Sequence, residues 1–274
     1  MKPERRKKRK VRSSSRKTSY SEEIVDTVYA EELEYEMSSS YYSKKDIIRN
    51  AIRKSLYIEY ATDNQEKMVD LIRENTIMFA PGPAGTGKSF VAAFAALQLL
   101  RNSETPYEKL IIVKPAVEVA GENLGFLPGT VEDKIGPYNY STVCIIEKII
   151  GEDATATLLK EGIIEPTPLA FIRGCTFDKA VVIGEEFQNI SPYMMKTFLS
   201  RIGEDTKYII TGDINQSDKF KNPKDSGLFD AINRLDGIDD IETDFKFNID
   251  DIVRNELIKA ILRRYEEDHE SYKT

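Results

Sequence analysis

The chain has 274 residues, of which 41% are hydrophobic and 31% are charged, and this composition is typical of a soluble globular protein with a sizeable core. Its single histidine, His269, and its two cysteines, Cys144 and Cys175, argue against a Ser-His-Asp triad and against a Cys/His zinc site. We expect inert or buried thiols in a cytoplasmic protein, and no membrane-spanning helix, because the longest apolar stretch is about half of the roughly 20 residues that a span needs.

The amino-terminal residues differ in charge from the rest of the chain. Residues 1–17 contain ten Lys and Arg and one acidic residue, a local charge of +9, although the whole chain has a net charge of −7. A basic run without apolar periodicity cannot bury enough surface to fold, so we expect a disordered arm. The arm could bind phosphate backbones or only solubilise the chain. Together with an acidic, Ser- and Tyr-rich stretch it forms region 1–45, which precedes one domain over 46–268 and a tail over 269–274.

Helices and a strand are predicted in turn from the start of this domain. Ile47–Tyr60 has apolar residues at helical spacing. A second helix begins at Asp63, which can cap the free amides while Glu66 closes a capping box. The apolar run Thr76–Ala80 then predicts a short buried strand, and Phe90–Leu100 predicts an apolar helix.

A glycine-rich loop connects this strand to this helix. Its glycines let backbone N–H groups turn inward around an anion, and the helix start adds free N–H groups and the positive end of its dipole. In this pattern Lys88 reaches the β and γ phosphates of a nucleotide, and Ser89 supplies a hydroxyl to magnesium. A connecting turn without a ligand is the alternative, although turn chemistry does not require a Lys-Ser pair. The predicted phosphate-binding residues are Gly82, Pro83, Ala84, Gly85, Thr86, Gly87, Lys88 and Ser89.

Two acidic residues follow the next predicted strand, Lys179–Ile183. A glycine-rich phosphate-binding loop of this kind, a P-loop, needs an acid at the end of a second strand to hold magnesium. We therefore assign Glu185 to the magnesium side and Glu186 to the polarisation of the attacking water. The alternative is an acidic turn at a strand end.

A polar cluster follows a third predicted strand, Tyr208–Ile210. Ligands bind at the carboxyl edge of open α/β sheets. Gln216 could therefore contact the γ-phosphate or the attacking water, while Asp213 orients its neighbours. A turn rich in Asx residues is the alternative.

These motifs resemble those of the PhoH family of P-loop ATPases, which is related to superfamily 1 helicases. The resemblance covers roughly Ala61–Glu266, and its most specific part is the segment ENLGFLPG at residues 122–129. The stretches that carry it are GPAGTGKS (82–89), KPAVEVAGENLGFLPGTVEDKIGPY (114–138), PLAFIRG (168–174), EEFQN (185–189), MKTFLSRIG (195–203) and TGDINQSD (211–218).

The resemblance implies further roles for single residues. Gln65 resembles the glutamine with which superfamily 1 ATPases read adenine. Arg254 resembles the helicase arginine that senses the γ-phosphate. Arg201 and Arg173 are rival candidates for an arginine finger supplied across a subunit boundary.

Two positions depart from the family pattern. The family's usual Leu-Asp-Glu is Gly184-Glu185-Glu186 here, so the magnesium-side acid is one methylene longer, which would slow turnover. The family's usual Arg before Pro-Ala-Val-Glu is Lys114, and a point charge is not equivalent to a guanidinium at a phosphate or carboxylate contact.

The resemblance implies an α/β fold, a RecA-like parallel sheet with helices on both faces. The implied function is a magnesium-dependent ATPase coupled to RNA or single-stranded nucleic acid. The alternative is an assembly or recruitment protein that ATP controls without strand separation. Because the chain has room for one RecA-like domain, strand separation would need a homo-oligomer, hexameric as in relatives. An insertion from Pro115 to about Thr167, with an apolar helix around Val143–Ile150, is expected at a subunit or substrate surface.

Overall fold

The computed structural model describes residues 43–115 and 131–253, and beyond them residues 257, 259–261, 263 and 264. For residues 131–140 it describes the backbone alone. The predicted basic arm, the segment ENLGFLPG and Arg254 lie outside the described residues.

A six-stranded parallel sheet forms the centre of the domain, and its spatial order is β3-β2-β4-β5-β1-β6. Because all strands run in the same direction, their carboxyl ends lie along one edge, and β5 separates β1 from β4. The α/β, RecA-like prediction is confirmed. The strands are β1 (Ile77–Pro81), β2 (Lys109–Lys114), β3 (Ile164–Pro168), β4 (Ala180–Gly184), β5 (Lys207–Gly212) and β6 (Ile241–Glu242).

Helices cover both faces of this sheet. Alternate strand residues point to opposite faces, so that Met78 and Ala80 of β1 join one buried apolar cluster while Ile77 and Phe79 join another. This two-sided burial explains why the central strands are continuous apolar runs. The helices are α1 (Lys44–Ala51), α2 (Asp63–Glu74), α3 (Lys88–Arg101), α4 (Val131–Ile150), α5 (Glu152–Lys160), α6 (Pro192–Leu199) and α7 (Gly227–Leu235).

Each cluster belongs to its own group of helices. The first contains α3, which is apolar almost all round, together with buried residues of α1, α2, α4 and α5. The second contains residues of α6 and α7 and a set of packed aromatic rings, among them Phe187, Phe198 and Tyr208. Within the described ranges, no helix combines the length and the apolar character needed to cross a membrane.

The predicted end of the first helix and the predicted cap of the second were wrong, whereas the predicted start of the second helix at Asp63 is confirmed. The helix expected over Ile47–Tyr60 ends at Ala51, and beyond it the exposed Tyr57 separates Leu56 and Ile58, which pack against the core. This alternation has a period of two residues, which extended chain satisfies and a helix does not. The cap of α2 is Thr62, whose hydroxyl accepts from the Gln65 N–H at 3.3 Å, and Asp63 is the first helical residue.

The region from Pro115 to Thr167 was predicted as an insertion, and its second half is part of the fold. It contributes α4, α5 and the edge strand β3, which pairs in parallel with β2. Strand β3 has the sequence IEPTP, and two prolines in five residues hide a strand from pattern-based prediction. Both cysteines are free thiols; Cys144 is half-buried and Cys175 is exposed, so of the two expected alternatives only inertness applies to Cys175, and it stays a prediction.

Candidate nucleotide-binding site

The glycine-rich loop lies between the carboxyl end of β1 and the start of α3, as predicted. Gly85 and Gly87 have φ angles of 89° and 85°, in the left-handed region where glycine is favoured. Lys88 is the first residue of α3, and its Nζ donates to the backbone oxygens of Gly82 at 2.7 Å and Pro83 at 2.6 Å. The lysine is therefore held against the loop at the helix end where free N–H groups and the dipole favour anions.

The chain from Phe247 to Val253 supports this loop from outside. A Cβ on Gly82 would lie 2.5 Å from the Cβ of Phe247, so only glycine fits against that residue. The Val253 N–H donates to the Gly85 oxygen at 3.0 Å, and the Phe247 N–H donates to the Pro81 oxygen at 2.9 Å. Sequence analysis missed this support because its hydrogen bonds involve backbone groups, which no side-chain pattern reports.

Gln65 lies against the loop and is buried. Its Nε2 donates to the Thr86 oxygen at 3.0 Å, and its Oε1 accepts from the Ala61 N–H at 2.9 Å. A Cβ on Gly87 would lie 2.8 Å from this Nε2, which is a second reason for glycine there. The structure thus brings Gln65 to the loop, where it anchors the backbone; adenine reading stays a prediction.

Glu185 follows β4 and is only 3% exposed. Its Oε2 accepts from the Thr142 hydroxyl at 2.6 Å and forms an ion pair with the Lys114 ammonium at 3.0 Å. Within the described side chains, its Oε1 is a buried oxygen without a hydrogen-bond partner. A phosphate or carboxylate contact was expected for Lys114. The structure shows that Lys114 contacts the carboxylate of Glu185, the predicted magnesium-side acid.

Glu186 differs from its neighbour in both backbone and exposure. Its φ of 57° is left-handed, which is strained for a residue with a side chain, and such strain is concentrated at functional sites. Its side chain is exposed, and its Oε2 accepts from Gln188 Nε2 at 2.7 Å. An oriented carboxylate that water can reach is what the predicted base requires.

Gln188, which sequence analysis did not single out, connects the ends of two strands. It is 2% exposed. Its Nε2 donates to Glu186 and to the backbone oxygen of Gln216, while its Oε1 accepts from the Asp213 N–H at 3.1 Å. A Cβ on Gly212 would lie 2.5 Å from this Oε1. The only signal in the sequence was its place in the stretch EEFQN, two residues after the second acid.

Two residues of the polar cluster after β5, Asp213 and Gln216, were predicted to lie at the site. Asp213 is the closer of the two to the glycine-rich loop. Burial raises the pKa of the Asp213 carboxyl, and the N–H groups of Asn215 and Ala84 and the charge of Lys88 oppose this rise. Burial also lowers the pKa of the Lys88 ammonium, which the charges of Asp213 and Glu186 oppose. Gln216 is exposed at the same sheet edge, and its contact with phosphate or water stays a prediction.

The three candidate arginines are not brought together. Arg201 lies near the amino ends of β4 and β5, where its backbone oxygen accepts from the Phe177 N–H and its guanidinium donates to Thr197 and Cys175 oxygens. This is the sheet edge opposite the loop, so Arg201 does not lie at the loop of its own chain, and its role as an arginine finger stays a prediction. Arg173 is exposed, with Nη2 4.0 Å from the Met194 sulfur. Arg254 lies outside the described residues and follows Val253, which contacts the loop.

These residues fit a nucleotide phosphate chain and a magnesium ion. Two left-handed glycines and a helix start form an anion cradle, Lys88 supplies positive charge, and Ser89 is the second residue of α3. The unpartnered Oε1 of Glu185 can accept from a metal-bound water. Neither here nor in the rest of the described residues could a cluster of three His, Cys, Asp or Glu side chains hold a metal by itself.

Comparison with known proteins identifies relatives over most of the chain. The family model for "PhoH-like protein" matches residues 57–266. A PhoH-like protein of Bacillus subtilis is 41% identical over 88% of this chain and 74% of its own length. A PhoH-like protein of Mycobacterium tuberculosis is 39% identical over 78% of this chain and 60% of its own length. Protein PhoH of Escherichia coli is 35% identical over 71% of this chain and 54% of its own length.

Among solved structures, a Pif1 helicase from Candida albicans is similar over 70% of this chain and 40% of that chain, with 15% identity and a TM-score of 0.35. A score this low carries no argument about fold or function.

Proposed function

The chain belongs to the PhoH-like protein family, and we propose that it is a magnesium-dependent ATPase whose turnover is coupled to RNA or single-stranded nucleic acid. One observation carries the proposal. Lys88 at the start of α3 interacts electrostatically with Asp213 beyond β5 and with Glu186 beyond β4. A cation and two acids from three separate elements thus lie near enough to interact electrostatically at the carboxyl edge of the sheet, where α/β proteins bind ligands.

Each of these residues has a distinct task in the proposed reaction. Lys88 and the loop N–H groups bind the β and γ phosphates and stabilise the charge that develops there. Ser89 and Glu185 would hold magnesium, which would neutralise part of the phosphate charge. Glu186 accepts the proton of the attacking water. Gln188 orients the carboxylate of Glu186 through the 2.7 Å hydrogen bond between them.

The coupling to nucleic acid is supported by the basic arm. The remainder of the chain is strongly acidic, and phosphate affinity comes chiefly from Lys and Arg. The arm therefore supplies the contact by which RNA or single-stranded DNA reaches the domain. Because the chain contains one RecA-like domain, we propose that it acts as a homo-oligomer, a hexamer, in which Arg201 or Arg173 reaches a neighbouring site.

The test is ATP turnover by the purified chain with and without RNA or single-stranded DNA, together with the mass of the assembly. Magnesium-dependent turnover that nucleic acid stimulates is expected. Turnover that neither nucleic acid changes would favour the alternative of an assembly protein controlled by ATP. Absence of turnover would contradict the proposal itself.

A further inference from the structure

We infer that Thr142 of α4 is a positioning residue for the magnesium-side acid, and that it acts by holding one oxygen of Glu185 so that the other faces the metal. The inference rests on the proposed function and concerns the same site. Two observations on Glu185 support it: the side chain is 3% exposed, and among the described side chains only Oε2 of its two oxygens has partners.

Side chains from two elements, α4 and β2, contact Oε2. The Thr142 hydroxyl donates to it at 2.6 Å, within the range of charge-assisted O–H···O⁻ bonds. The Lys114 ammonium, at the end of β2, lies 3.0 Å away. Lys114 Nζ also donates to the hydroxyl of Ser141 at 2.8 Å. Three polar contacts therefore link α4, β2 and the end of β4, and the peptide bond between Ser141 and Thr142 closes them into a ring with Lys114 and Glu185.

This ring determines the direction of Oε1. The backbone of Glu185 is held by its N–H, which donates to the Val113 oxygen at 3.0 Å. Rotation of the carboxylate would break the bonds to both Thr142 and Lys114. Leaving a buried charged oxygen unpaired is costly, so Oε1 needs a partner that the described side chains do not provide. A water on a magnesium ion held at this site would be such a partner, and the ring would keep Oε1 available to it.

The ring also links the metal to the position of α4. Thr142 is completely buried, and α4 packs against α3, the helix that begins with Lys88. A shift of α4 by one hydrogen-bond length would release Oε2 and free the carboxylate to turn. Groups that orient a metal's ligands in this way typically change metal affinity or activity 10- to 100-fold when they are removed.

The test compares Thr142→Val, which keeps the shape and removes the hydroxyl, with Thr142→Ser, which keeps the hydroxyl. Thr155→Val on α5 is the matched control, because Thr155 is equally buried but, within the described part of the chain, its hydroxyl donates only to the Gly151 oxygen. The affinity for a fluorescent ATP analogue is measured with magnesium and with EDTA. The ratio of the two affinities reports the metal contribution without requiring turnover.

We expect this ratio to fall about tenfold in Thr142→Val and to stay at the wild-type value in Thr142→Ser and Thr155→Val. If Thr142→Val does not fold, Thr142→Cys replaces it in the test, because a thiol is only a weak hydrogen-bond donor. The affinity ratio is expected to fall by the same factor. An unchanged ratio in the variant that lacks the hydroxyl, or an equal fall in Thr142→Ser, would overturn the inference and leave the proposed ATPase intact. Failure of the wild-type chain to bind the analogue would instead contradict the proposed function, and the inference with it.

Discussion

At the scale of single residues, the site separates two adjacent carboxylates. Glu185 is buried and has one oxygen held by Thr142 and Lys114, whereas Glu186 is exposed because a left-handed backbone turns the chain after β4. A buried, paired carboxylate suits a fixed metal contact. An exposed carboxylate that accepts a single hydrogen bond from Gln188 suits proton transfer. The geometry therefore supports different tasks for two residues of the same type.

Replacing Glu186 by Gln tests this division. The amide keeps the size of the side chain but cannot accept the proton, so the variant should bind ATP and turn it over at least about tenfold more slowly. Turnover and nucleotide affinity are measured side by side for Glu186→Gln and Glu185→Gln. Normal turnover in the first variant with complete loss in the second would reverse the two assignments.

At the scale of elements, the predictions succeeded where the signal was local. The P-loop strand and helix were predicted because an apolar run, glycines and Lys-Ser are contiguous in the sequence, and β4 and β5 were recognised as short apolar runs. Strand β3 was missed because of its prolines, and the α2 cap was displaced by one residue because Thr62 and Asp63 are both good caps.

The contacts that complete the site could not be predicted from the sequence. Thr142 and Glu185 are 43 positions apart, and Gln188 and the Asp213 N–H are 25 positions apart. No periodicity or motif connects such pairs, because the sheet order brings them together only after the chain has folded. The same holds for the approach of Val253 to Gly85.

A buried lysine stabilises the end of α2. Lys207, the first residue of β5, is 4% exposed, and its ammonium donates to the backbone oxygens of Ile72 at 2.5 Å, Arg73 at 3.3 Å and Asn75. Helix-terminal oxygens lack partners within the helix, so this contact joins α2 to the sheet. Burial lowers the pKa of Lys207 to about 8, an effect that the charge of Asp240 opposes.

This pKa predicts a pH dependence of stability. Between the folded value of about 8 and the ordinary value of 10.5, the unfolded chain binds a proton that the folded chain does not. The free energy of unfolding should therefore rise with pH, by about 2 kcal/mol from pH 8 to 9.5, relative to a Lys207→Met variant. Urea unfolding of both proteins at the two pH values measures the difference. Parallel changes in both would show that Lys207 does not titrate in this range.

At the scale of the whole molecule, the charge is divided between two parts of the sequence. The basic arm has a charge of +9, and the site residues all lie beyond Asp63 in an acidic remainder. Nucleotide chemistry and nucleic acid affinity should therefore be separable. The domain should hydrolyse ATP without the arm, and the arm should govern binding to phosphate backbones.

Deleting residues 1–17 tests this separation. Each neutralised phosphate releases counterions, so binding through the arm must weaken steeply as salt rises, and the deletion must flatten that dependence. RNA and single-stranded DNA affinities are measured across a salt series for the full chain, the deletion and a control of equal length with the ten Lys and Arg replaced by Gln. The basal ATPase rate should be the same in all three. Equal affinities and slopes would show that the arm is a passive tail.

The most direct test of the central claim is magnesium-dependent ATP hydrolysis by Lys88→Ala, with Lys67→Ala, an exposed residue of α2, as the control. The loop N–H groups cannot replace an ammonium at the β and γ phosphates, so we expect a loss of at least about a hundredfold in Lys88→Ala. Normal turnover is expected in Lys67→Ala, and both variants should keep the thermal unfolding of the wild type. Turnover in Lys88→Ala equal to that of the wild-type chain would contradict the account.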